Sequence, residues 1–82
     1  MKLPRNLGGE ELAVLLSKYG YQPTRQTGSH LRLTSLVANK ENHITIPRHK
    51  PLKIGTLGSI IIEVAIQLNM KRQELISTLF TG

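Results

Sequence analysis

The chain has 82 residues, no cysteine, and eleven Lys or Arg against five acids, all glutamate, for a formal charge of +6. A chain of this length forms one domain, here residues 1–82, whose modest core buries roughly 60% of the unfolded surface. The missing thiols exclude disulfide staples, thiolate metal sites and cysteine nucleophiles, and suit a reducing cytoplasm.

The N-terminal stretch MKLPRNLGG has no apolar run behind its basic residues, so no signal peptide is expected. In 9-GEELAVLLSKYG-20, Leu12, Leu15, Leu16 and Tyr19 fall at i, i+3, i+4 and i+7, the spacing of one helical face. Glu10 and Glu11 in the first turn, Lys18 in the last and a left-handed stop at Gly20 agree with a helix there.

From Tyr21 the pattern changes to strands, predicted at roughly 21–27, 29–35 and 43–47, with Pro23 limiting the first to an edge. Gly28 is expected to supply the positive φ of a tight hairpin, and 38-ANKEN-42 reads as a polar loop. Leu31, Leu33, Ile44 and Ile46 alternate with His30, Arg32, His43 and Thr45. The apolar set must face helices, so the polar set faces away from them.

After the two-proline loop 47-PRHKPLKIG-55, Leu57, Ile60, Ile61, Val64 and Leu68 return to helical spacing, and Ile62, Ala65 and Ile66 make the other flank apolar too. The run 59-SIIIEVAIQL-68 is interrupted by Glu63 and is far short of the ~20 residues that span a bilayer, so a soluble protein is expected. Segment 71-KRQELISTLF-80 reads as a short closing helix, although Lys71 is a poor N-cap. The expected fold is α+β: a three-stranded antiparallel sheet with helices on one face, in the order α-β-β-β-α plus a short C-terminal helix.

The charge excess is local. Between Arg25 and Lys53 lie Arg25, Arg32, Lys40, Arg48, Lys50 and Lys53 against Glu41 alone, six cations less one acid, a net +5. Such a field attracts a polyanion: nucleic acid, an acidic protein or an anionic lipid surface. There is no carboxylate dyad, no HExxH pattern and no phosphate loop, since 55-GTLG-58 lacks both the lysine and the spacing, so no metal and no cofactor are expected. Ser29 beside His30 reads as a turn residue, because neighbouring strand residues point to opposite faces.

Imidazoles among cations remain. Histidine exchanges a proton near neutral pH without a metal, and RNA carries its own nucleophile in the 2′-hydroxyl. A basic histidine-bearing protein of this kind, if it is a nuclease, cuts RNA. His30, at the mouth of a strand behind a Gly-Ser turn, is the candidate base, against the plain reading of an exposed strand histidine. His49, within 48-RHK-50, is a candidate assistant, and His43 reads as a surface residue. Arg25, Arg32, Arg48, Lys50 and Lys53 are either a solvated surface or phosphate contacts.

The Gly-Tyr step, 25-RQTGSHLRL-33, 44-ITIPRHKPLKIGTLGSII-61 and the closing helix, taken in order, resemble the HicA family of toxin RNA endonucleases over Leu3 to about Phe80. The resemblance implies a double-stranded-RNA-binding-domain-like fold and metal-independent cleavage of single-stranded RNA or mRNA in a prokaryotic cytoplasm. It also implies a HicB-type antitoxin as partner. The family's catalytic histidine, after Gly-Ser, carries over onto His30, and the histidine after P-x onto His49; Ser29 joins the basic residues as an RNA contact. The chain departs from the family at Asn69-Met70-Lys71, where a hydroxyl cap is usual. A non-catalytic double-stranded-RNA-binding module is the alternative, although 55-GTLGS-59 lacks the lysine cluster such modules carry. A subunit whose basic face meets an acidic protein is a third reading.

Overall fold

The structure, a computed structural model, describes residues 3–37 and 39–80. Helix α1 (Gly9–Leu16) runs into a 3₁₀ turn at Ser17–Tyr19, and Gly20 ends it at φ 87, the left-handed stop the sequence predicts. Gly9 is fixed by packing, because a Cβ there would overlap the carbonyl oxygen of Pro47, while its N–H donates to His49 O at 2.9 Å.

Strands β1 (Gln22–Gln26), β2 (His30–Val37) and β3 (Lys40–Pro47) form one antiparallel sheet in the order β1-β2-β3. Leu31 pairs with Ile46 and Leu33 with Ile44, and all four are buried in one core with Leu12, Leu16, Leu57, Ile61, Val64, Leu75 and Ile76. Each such side chain contributes about 1.5–3 kcal/mol by leaving water. The helices cover this face, and the opposite parity, His30, Arg32, Thr34, His43 and Thr45, points away from them as expected.

Two local expectations fail. The polar loop placed at 38–42 is mostly strand: Val37 pairs directly with Lys40, and β3 begins there. Asn39 takes φ 63, so the chain reverses within two residues. Ala38 lies outside the described residues. Composition hid this strand because Lys40, Glu41 and Asn42 carry no apolar alternation; Asn42 nonetheless turns inward and is buried. Gly28 does not adopt the left-handed conformation expected of it. Thr27 closes that turn instead: its N–H donates to His30 O at 2.9 Å, and its Oγ1 accepts from His30 N at 3.1 Å.

Tyr21 precedes β1 and is fully buried. Its hydroxyl donates to Gln67 Oε1, and Gln67 Nε2 donates to His43 O at 2.9 Å, which pins helix α2 (Ile54–Leu68) to β3. Burial, and secondarily the charge of Glu63, pushes the phenol pKa up to about 12. At the end of α2, Asn69 at φ 55 closes the helix, with Met70 N donating to Ala65 O at 2.9 Å. Helix α3 (Arg72–Phe80) follows Lys71, which has no capping hydroxyl, and Glu74 Oε1 accepts the Lys71 N–H at 3.0 Å, the half of a capping box that the third helical residue supplies. Leu75, Ile76 and Leu79 of α3 complete the core, which leaves Ile62 and Ile66 of α2 in solvent. No helix among the described residues is long and apolar enough to cross a membrane.

Candidate functional site

His30 opens β2 on the outward face and is exposed. Ser29 stands in the turn before the strand, so strand parity does not govern it, and its Oγ shares a 2.9 Å hydrogen bond with His30 Nδ1. The expectation that the two side chains point apart is therefore overturned. No hydrogen bond from the described residues reaches His30 Nε2, the nitrogen left to meet a ligand. A hydroxyl can donate to a neutral imidazole or accept from a protonated one, so Ser29 holds the ring in either state.

The turn bearing His30 is tied from behind by Arg48. Its backbone N–H donates to Ser29 O at 2.8 Å and its Nη1 to Thr27 O at 3.3 Å. Its Nε and Nη2 both donate to Glu10 Oε1, at 3.0 and 2.6 Å. Lys50 meets Glu11 at 3.2 Å, and that carboxylate also accepts the Gly8 N–H at 2.8 Å. The Gly8 N–H and then Lys50 hold the Glu11 carboxyl below its ordinary pKa. Both cations that the sequence offers as phosphate contacts in 48-RHK-50 thus have carboxylate partners on α1, 38 or 39 residues away along the chain. The glutamates that read as helix-dipole residues form one side of this seam.

His49 is exposed between them, in a cleft of about 320 Å³ lined also by Gly8, Gly9, Glu10, Glu11, Gly28, Arg48 and Lys50. His30 is not part of that lining, whereas Gly28 of the turn before it is. Lys53 is exposed just before α2, and its carbonyl accepts Leu57 N–H at 2.9 Å. His43 is more than a surface residue: Thr34 Oγ1 lies 2.9 Å from its Nδ1 and Glu41 Oε1 lies 3.0 Å from its Nε2, so both ring nitrogens are engaged.

Arg25 and Arg32 differ from Arg48. They face each other as partners across β1 and β2, both exposed, and neither makes an ion pair with any described residue. Among the described residues no three His, Cys, Asp or Glu side chains come together as a metal site.

The family model described as the HicA toxin of bacterial toxin–antitoxin matches residues 9–66, more than half of the chain. The chain belongs to the HicA toxin family. The matched segment of this HicA toxin runs from the start of α1 to near the end of α2, and so includes the His30 turn, the Arg48 seam and the whole sheet. Neither a curated protein nor a solved structure matches the chain significantly.

Proposed function

We propose that this HicA toxin is a metal-independent endoribonuclease that cleaves mRNA in the cytoplasm, with His30 as the catalytic residue and a HicB-type antitoxin as its neutralising partner. The observation that carries the reading is the His30 ring itself. It is exposed on the outward sheet face, anchored at Nδ1 by Ser29, open at Nε2, and two residues from an arginine. His30 Nε2 takes the proton of a ribose 2′-hydroxyl as that oxygen bonds to phosphorus. The bond from phosphorus to the 5′-oxygen breaks, and the leaving oxygen takes up a proton. The products are a 2′,3′-cyclic phosphate and a 5′-hydroxyl. Cations beside the phosphate stabilise the charge that grows on its oxygens. Arg48 acts through the turn that it braces, holding Ser29 and His30 in place. His49 and Lys53 border the path of the RNA strand.

The test is cleavage of a single-stranded RNA by the purified toxin in EDTA, with end-group analysis of the products. Wild type yields cyclic phosphate ends, and His30→Ala, folded as judged by its melting curve, loses at least about 100-fold in rate. A His30→Ala protein that cuts at the wild-type rate overturns the assignment, as does equal cutting of DNA.

A further inference from the structure

The ladder between β1 and β2 is irregular at one place. Pro23 pairs with Leu33 and Arg25 with Arg32, leaving Thr24 as an extra residue. In an unbroken ladder Thr24 would face Arg32, and Arg25 would turn inward opposite Leu31. The bulge reverses this and brings Arg25 onto the outward face directly across from Arg32. Thr24 stays on that face too, its Oγ1 2.8 Å from Thr34 Oγ1.

Both features are unfavourable to the fold. A bulge interrupts backbone pairing, and like charges directly opposite repel. Four of the five glutamates are committed elsewhere, Glu10 to Arg48, Glu11 to Lys50, Glu41 to His43 and Glu74 to the Lys71 N–H, and the fifth, Glu63, lies on α2 and makes no ion pair with either arginine. Two arginines set directly opposite each other on one face, without a counter-charge, can close their guanidiniums on an anion between them. We propose that the β1 bulge builds a two-arginine subsite, Arg25 with Arg32, that grips one backbone phosphate of a single-stranded nucleic acid next to the bond cut at His30.

Arg32 is two residues along β2 from His30, about 7 Å, which is on the scale of one nucleotide step in an extended strand. The pair therefore grips the phosphate neighbouring the scissile one and sets which bond lies over the imidazole. The placement of that phosphate relative to a cut rests on the nuclease reading; the grip itself does not.

The experiment measures binding in a His30→Ala background, by fluorescence anisotropy of a labelled single-stranded RNA and of DNA of the same sequence, across a range of salt. Arg25→Gln and Arg32→Gln each weaken binding about tenfold. The double variant loses less than the product of the two, because the bound phosphate relieves the repulsion between the arginines and that gain is already lost in full in either single variant. The slope of log affinity against log salt becomes shallower by about 0.7 in the double variant, and DNA behaves as RNA does. Melting temperatures of the arginine variants equal or exceed that of the parent, which separates lost binding from lost folding.

Unchanged affinity, losses that simply multiply, or a dependence confined to RNA overturns the subsite. Cleavage by the toxin with His30 intact is followed on the same RNA. If it cuts while the arginine variants bind like the parent, the subsite fails alone. If it does not cut while the arginine dependence holds, the nuclease reading fails and the phosphate grip stands.

Discussion

On the outward face of the sheet, Arg25 and Arg32 have no carboxylate partner among the described residues, whereas behind the His30 turn Arg48 and Lys50 each meet a glutamate of α1. Both regions set a histidine among cations, and a charge count along the chain treats them alike. Their electrostatics differ, because a paired cation offers an incoming phosphate little net field and must first be released from its carboxylate. The seam braces the turn that carries His30. The sheet face leaves its charge uncompensated, which is the basis of the binding role proposed for it.

The seam is most vulnerable at Gly9. A methyl group there drives α1 away from Pro47, parting Glu10 and Glu11 from Arg48 and Lys50. Gly9→Ala should lower stability by about 3 kcal/mol in denaturant unfolding, because the obstructing atom is backbone and cannot move aside. A variant with wild-type stability shows that the close approach is dispensable.

Arg48→Met sharpens the distinction between bracing and binding. It should reduce the cleavage rate about tenfold, a looser turn misplacing the imidazole, while the salt dependence of RNA binding stays that of the parent. Should the salt slope become shallower by about 0.7, Arg48 is a phosphate contact like the sheet arginines. Arg48→Lys restores charge without the forked geometry, and so should recover little of the rate.

The smallest effect is expected in acid. Glu11 has a lowered folded pKa, so its contribution is present above its ordinary value near 4.5 and is lost as pH falls through the folded value. Melting temperatures taken downward from pH 5 should therefore fall less for Glu11→Gln than for wild type. Parallel curves for the two proteins place the acid sensitivity of the seam elsewhere.

Much of the architecture was legible because periodicity reports which side of an element is dry. The 3.6-residue spacing of Leu12 and Leu16, and the alternation of Leu31, Leu33, Ile44 and Ile46, each admit one packing direction; the outward placement of His30 follows from the second. Ser29 is the turn residue the sequence suggests, but its side chain meets His30 against expectation, because parity applies only inside a strand and β2 begins one residue later. The early start of β3 was hidden by its polar residues, whose strand conformation comes from pairing with β2 rather than from their own preference. Before α3, where a capping hydroxyl is missing, Glu74 supplies the reciprocal half of a capping box by accepting the Lys71 N–H from inside the helix.

By itself the sequence determined the element order, the apolar face of each element, the basic character of the middle of the chain and a histidine placed behind a Gly-Ser turn. Those are properties of spacing and composition, which local backbone geometry translates directly into position. Only the tertiary structure decided which cations are free. Glu10 and Glu11 reach Arg48 and Lys50 across nearly forty residues of chain, and one extra residue in β1 turns Arg25 to the face of Arg32. Neither event has a local pattern, because pairing of charges and registry of strands are set by what the fold brings together.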